Sequence, residues 1–328
     1  MTYGAWSQNK LQFGREGTAG TAVAATEIWR GMFSNISDDR ERTIVDENIG
    51  LLVTAERTYT SKYGATLTIP STPMTFEQCV HFLEAGCMTA TPSGAGPYVR
   101  AYSYPVGNSV NTIKTYTWEA ANASVGDDYR EAEYCYVDEF QFTGRAGEAV
   151  EMSGTWMGRK TNTGSVTALS TLLAVEEVLM NKCKLFIDAT GGTIGTGQMT
   201  GVFMGFDMRV KTGIRPVPVG DGNLYFFAHK FVKPEITFSL TLELESGSVV
   251  ADERAIFESE AVRLIRIEME GSNSSRQIDL DFAGKYDSFD DYENSDGNTT
   301  VTINGHVVYS ATDTLFWECE VTNNRATI

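Results

Sequence analysis

Two glycine-rich stretches are the first places where this chain could do chemistry. Residues 14–20, Gly14-Arg15-Glu16-Gly17-Thr18-Ala19-Gly20, have glycines close enough to wrap a phosphate, and residues 191–197 offer a second such loop. A phosphate loop needs a strand before it, a lysine after its last glycine and a helix N-terminus aimed at the anion. The first stretch has no such lysine and runs into the strand-like Glu27-Ile28-Trp29-Arg30, so it reads as a flexible arm. The second follows a strand-like segment at 184–188 but leads into Met199-Thr200-Gly201-Val202-Phe203-Met204, which is also strand-like, and reads as a hairpin turn. The acidic run at 287–296 could present hard oxygen ligands to calcium. It lacks the alternating acids, the glycine and the terminal glutamate of a calcium loop, and reads as a solvated surface loop.

The three histidines, His81, His229 and His306, lie far apart without partners at ligand spacing, so spacing neither assembles nor excludes a metal site or a catalytic triad. His81, between apolar residues of a short helix, reads as a core or interface histidine. A glycosidase pair cannot be picked from the many carboxylates without geometry. The five cysteines (Cys79, Cys87, Cys135, Cys183, Cys319) are odd in number, scattered and free of CxxC spacing, which suggests buried thiols in a reducing cytoplasm. With no activated nucleophile or metal motif visible, the expectation is a protein that is not an enzyme and holds no cofactor.

The net charge of −17 is spread over both halves: 13 basic and 19 acidic residues to position 160, then 13 and 24. Nucleic-acid binders gain affinity by neutralising phosphates, so this balance disfavours one while suiting a surface that repels DNA. The sequence shows neither a basic segment leading into an apolar core at its start nor a run of about 18 apolar residues, so the expectation is a soluble protein made in a cytoplasm, with no membrane partner.

The elements that would position these residues are mainly strands. Alternation of apolar and polar residues marks 64–70, 112–119, 137–144, 236–243 and 265–270, with turn signals at 144–147, 191–192, 221–223, 296–298 and 304–305. Two helices are expected. One has Thr72 as N-cap, Pro73 at its first position, Phe76, Val80 and Leu83 on one face, and a stop at Gly86. The other begins near Ser248, with Asp252 and Glu253 in its first turn and Ile256, Phe257 and Ala261 turned inward. Each helix follows an alternating strand and precedes a strand-rich stretch, an order that suggests an internal repeat. The expected organisation is an N-terminal arm at 1–26, one domain at 27–160, a linker at 161–178 and a second domain at 179–328. The arm carries few large apolar side chains, and is expected to cross to an adjacent subunit.

The entry Gly14-Arg15-Glu16-Gly17-Thr18-Ala19-Gly20-Thr21-Ala22-Val23 resembles the start of tail tube proteins of long-tailed, non-contractile bacteriophages. Three further stretches resemble the same family in the same order: 69–74, 140–158 and 183–196. The resemblance implies a mainly β fold of two tandem tail-tube-like sandwich or barrel domains, each with one flanking α-helix. It further implies rings of subunits, three chains giving pseudo-sixfold symmetry, stacked into a hollow virion tube alongside tape-measure, terminator and tip proteins. Genome DNA would pass through the lumen without specific binding. Gly14, Gly17, Thr18, Gly20 and Thr21 are then the expected inter-subunit arm, and Glu243, Glu245, Glu268 and Glu270 the candidate acidic groups on the lumen. Alternation puts these glutamates opposite Leu242, Leu244, Ile267 and Met269 but leaves open whether they face the lumen or the outside. The rival readings are another β-sandwich virion protein of the tail tip or capsid decoration, and a carbohydrate-binding or hydrolytic module.

Overall fold

The computed structural model describes residues 3–53, 56–122, 129–164, 166–245, 249–295 and 297–328. Ser165 of the expected linker, Ser248 at the expected start of the second helix and Asp296 of the acidic run lie outside them, as do the first two residues of the expected arm.

The first half of the chain forms β1 (Asn9–Arg15), β2 (Glu27–Ile28), β3 (Ser37–Asp38), β4 (Glu41–Ile44), β5 (Thr58–Lys62), β6 (Ala65–Pro73), α1 (Cys79–Gly86), β7 (Tyr98–Ser103), β8 (Tyr116–Asn122), β9 (Arg130–Arg145), β10 (Glu151–Gly158) and β11 (Lys160–Asn162). The second half forms β12 (Cys183–Ala189), β13 (Phe203–Lys211), β14 (Ile214–Val217), β15 (Ala228–Phe231), β16 (Glu235–Glu243), α2 (Val249–Ser259), β17 (Arg263–Glu270), β18 (Gln277–Phe289), β19 (Glu293–Ser295), β20 (Asn298–Val307) and β21 (Trp317–Asn323). The fold is mainly β, and its ladders are antiparallel.

The ladders fall in the same order in both halves. In the first, β6 pairs with β10, β10 with β9, β9 with β8 and β8 with β1. In the second, β16 pairs with β20, β20 with β18, β18 with β17 and β17 with β12. Strands β9 and β18 each serve two neighbourhoods. The N-terminal part of β9 lies between β8 and β11, and its C-terminal part between β10 and β13. The switch falls at Tyr134, whose φ of 54° is a left-handed conformation unusual for a bulky residue. The β9–β13 ladder joins the halves into one sheet running β3, β6, β10, β9, β13, β16, β20, β18. A second layer, β12, β17, β18, β21 and β7, lies across the core: Trp317 of β21 packs on Phe140 of β9 and donates its Nε1–H to Met208 of β13.

The core follows from the period of two. In β16, Ile236, Phe238, Leu240 and Leu242 are buried while Glu235 and Thr237 are exposed, because successive side chains leave opposite faces of a strand. Helix α1 is buried on every side, with Phe82 edge-on to Trp156. The residues read as its start belong elsewhere: Thr72 and Pro73 end β6, where Pro73 sits opposite Glu151, and the helix begins at Cys79. Proline lacks an N–H and suits the end of a ladder as well as the first turn of a helix, which made that signal ambiguous. In α2, Ile256 and Phe257 pack on the core, but Ala261 falls past the helix end and is exposed.

Within the segment read as an arm, Asn9–Arg15 form β1 of the chain's own sheet. Leu11 and Phe13 enter the aromatic core beside Trp118, and Gly14 lies so close under residues 23–24 that a Cβ there would stand 2.5 Å from the Ala24 carbonyl oxygen. Two apolar side chains anchor this strand because the backbone around them is covered on both sides. Residues 17–22 remain mostly at the surface. The stretch read as a linker lies against the first half, through Val178 N–H to the Met74 carbonyl (2.9 Å), Val150 N–H to the Val178 carbonyl (2.8 Å) and Thr167 N–H to the Glu119 carboxylate (2.7 Å).

Candidate assembly surface

Each half carries a hairpin in the same place, between the strand that enters its sheet and the strand that leads to its helix. The second hairpin, β14 and β15, is seated. Ile214, Phe226 and Phe231 pack with Ile113, Tyr134 and Tyr136 of the first half in a small separate core, and His229 Nδ1 lies 3.2 Å from the Tyr134 hydroxyl. Polar contacts at the seam beneath it reinforce the ladder. Arg209 pairs with Glu139 at 2.6 Å, Arg215 with Asp138 at 3.2 Å, and Asp207 accepts from Gln141 and Thr143. The Thr212 hydroxyl donates to the Val137 carbonyl at 2.9 Å.

The first hairpin, β4 and β5, has no such seat. Ile44 and Tyr59 on its strands are 61% and 54% exposed, and its loop holds Ile49, Leu51, Leu52 and Val53, all more than half exposed. Apolar side chains gathered on one projecting element mark an interaction surface. The sequence carried a signal here, the run Ile49-Gly50-Leu51-Leu52-Val53 with no alternation, which fits neither a half-buried strand nor a polar loop.

The expected arm residues lie around one buried carboxylate. Glu16, 2% exposed, accepts from the Thr115 hydroxyl (2.6 Å), the Thr117 hydroxyl (3.0 Å), the Tyr134 N–H (2.8 Å) and the Gly20 N–H (2.7 Å). Gly20, at a φ of 78°, lies against Arg159 and Tyr134; Gly17 has open space where a Cβ would be; Thr21 N–H returns to the Thr18 carbonyl. The four glutamates read as lumen candidates separate. Glu243 ends β16 on the outward face of the sheet that joins the halves, and Glu245 is exposed just beyond it. Glu268 and Glu270 lie on β17 in the other layer, where Lys184 bridges both at 2.8 and 2.7 Å.

The groups that could have done chemistry are dispersed. His81 is buried, 3.0 Å from the Tyr116 hydroxyl and 3.5 Å from Glu27, and burial holds its pKa down. Burial also raises the Glu27 carboxyl, but His81 and Arg325, the latter at 2.6 Å, outweigh it and hold Glu27 down at about 2. His306 pairs with Asp287 at 2.7 Å on the far half. Burial pushes the thiols up, Cys183 to about 12, the opposite of what a nucleophile needs. In the acidic run, Asp290 accepts from Ser288 and Asn304, and Asn294 from Gly297 N–H. The glycine loop at 191–197 folds over Asp188, whose carboxylate takes the amides of Gly195, Thr196 and Gly197. Among the described residues, no three His, Cys, Asp or Glu side chains converge to hold a metal ion, and no helix is long and apolar enough to cross a membrane.

What the surface offers is therefore contact, through a seated hairpin, an unseated one and a sheet spanning two similar halves. A family model described as phage tail tube protein matches residues 6–314, nearly the whole chain. The chain belongs to the phage tail tube protein family. It is accordingly a structural component of a bacteriophage virion tail. A search of curated proteins gave no match. For a tail tube protein the surfaces that matter are those it shows to other subunits, and the unseated hairpin gathers Ile44, Ile49, Leu51, Leu52, Val53 and Tyr59, all more than half exposed, on one element.

Proposed function

We propose that this tail tube protein closes into a ring of three chains with pseudo-sixfold symmetry, and that the rings stack into the hollow tube of a long-tailed, non-contractile phage through which the genome is ejected. The observation that carries this is the repeated ladder order, β6-β10-β9-β8-β1 against β16-β20-β18-β17-β12, on a sheet continuous through β9 and β13. The two halves are read as tandem tube domains, 27–160, completed by β1, and 179–328, each a sixth of the ring. A repeat that already pairs with its neighbour inside the chain can close by pairing again, and a head-to-tail contact that closes makes a ring.

The same reading puts the outward face of the joining sheet on the lumen. That face carries Thr143, Gln141, Asp207, Ser239, Thr241 and Glu243, and its cations Arg209 and Lys211 are paired with Glu139 and Glu235, which leaves a duplex little to hold. Glu243 and Glu245 are proposed as lumen acids, and Glu268 and Glu270, neutralised in part by Lys184, as outer ones. Residues 17–22, with Gly17, Thr18, Gly20 and Thr21, are proposed as the part of the N-terminal segment that meets an adjacent subunit. Tape-measure, terminator and tip proteins are the further partners, assembly takes place in the host cytoplasm, and the chain does no catalysis. Negative-stain images of the purified protein, with native mass of the smallest ring, test the reading. Tubes or rings of three chains are expected; six full-length chains per ring, or monomers that bind glycans, would overturn it.

A further inference from the structure

We propose that the ring closes by repeating between copies the contact that the chain makes within itself: β3 and the first hairpin of one copy take the free stretch of β18 on the next, as β13 and the second hairpin take β9. This rests on the ring reading above and names its contact residues.

Over Gln277–Phe282 the two edges of β18 are held by β17 and by β21, and at Gly284 by β17 and by β20, but over Lys285–Phe289 β20 holds one edge and, among the described residues, no strand holds the other. An unpaired strand edge is a ready template for a second chain. β9 shows what fills the corresponding place, because its edge opposite β10 is taken by β13. The two strands match in detail. Each ladder skips one residue, Asp138 between Val137 and Glu139 in β9, and Asp287 between Tyr286 and Ser288 in β18. On the other partner, β3 lies beside β6 as β13 lies beside β16, each leads into its hairpin, and among the described residues β3 pairs with no strand besides β6.

Charge points the same way. Asp138 is met by Arg215 of the second hairpin at 3.2 Å. Its counterpart Asp287 is 53% exposed and among the described residues pairs with His306 alone, while Arg42 of the first hairpin is exposed and makes no ion pair among them. Arg42 of one copy meets Asp287 of the next. Ile44, uncovered in the single chain and on the same face of β4 as Arg42, lies against that copy's second half. Matching the ladders through the two aspartates puts Ser37 where Arg209 stands and Asp290 where Gln141 stands, which are partners across the internal seam.

The test is a Ser37→Cys, Asp290→Cys double variant of the full chain, assembled and treated with a short thiol crosslinker. Four of the native cysteines are buried and Cys183 is half-buried, so the wild type gives the background. A covalent three-chain species on a denaturing gel, absent from either single variant, is expected. Tubes that form without it would overturn the contact while leaving the ring reading intact; wild-type protein that makes neither rings nor tubes would overturn the ring reading itself. Should the double variant fail to assemble, charge exchange decides: Asp287→Arg is expected to cut tube yield at least about tenfold and Arg42→Asp added to it to restore most of that yield. No restoration would sink the proposal.

Discussion

The two hairpins occupy equivalent places and differ in what covers them. β14 and β15 close over Tyr134 and Tyr136 and bury Phe226 to 7% exposure; β4 and β5 project with Leu52 fully exposed. The difference separates two uses of one motif. A seated hairpin adds to the stability of the chain, whereas an unseated one leaves its apolar surface uncovered, open to the contact proposed above. The halves differ likewise in their buried charges. The first locks Glu27 to His81 and Arg325, and the second crowds Asp279, Glu318 and Glu320 on one face around Arg266, where burial above all pushes all three carboxyls up.

The largest expected effect comes from exchanging the fates of the hairpins. Phe226→Ala should lower the unfolding free energy of dilute, unassembled protein by about 4 kcal/mol, the usual cost of truncating a buried phenylalanine. Leu52→Ser should leave that free energy within about 0.5 kcal/mol and abolish long tubes. Denaturant unfolding with electron microscopy of both variants checks the pair; equal effects on stability would remove the distinction between the hairpins.

Acid sharpens the comparison between halves. Glu27 has a depressed folded-state pKa, so its contribution, roughly 3 kcal/mol for a shift from 4.5 to about 2, is present above pH 4.5 and is lost as pH falls towards 2. Asp279, Glu318 and Glu320 are raised and run the other way: protonation relieves them, so the second half gains stability as pH falls through their folded-state values. Hydrogen exchange between pH 5 and 3 should show protection fading first around β1, α1 and the segment at Arg325. Glu27→Gln should flatten that dependence, and its persistence would show another group to be responsible.

The smallest effect separates the two pairs of glutamates. Glu243→Lys is expected to slow genome ejection severalfold at low salt with normal tubes, since attraction to phosphate is strongest there, while Glu268→Lys should leave ejection unchanged. Equal slowing by both would put the two layers on the same side of the wall.

Much of the sheet was legible because alternation is a local property: β16 and β17 lie where the period of two marks them, and α2 spans 249–259. The start of α1 was misplaced because Thr72-Pro73 carries the same chemistry at a helix N-terminus as at a strand end. β1 was read as an arm since Leu11 and Phe13 are too few to show a period, and their burial depends on Trp118, more than a hundred residues away. The seam between β9 and β13 and the pairing of β7 with β21 are long-range choices that no local window contains. The candidate lumen acids were legible as members of alternating strands; their division between two layers was not, because alternation fixes two faces and leaves the identity of the layer to the topology.

Strand β9 belongs to both neighbourhoods of the first half, with Tyr134 at the crossing. Between those neighbourhoods the link is one covalent strand, which β13 joins, and from which β8 and β1 are reached, through hydrogen-bonded ladders. The internal seam and the N-terminal strand are therefore joined by a short route of three ladders and one unbroken strand.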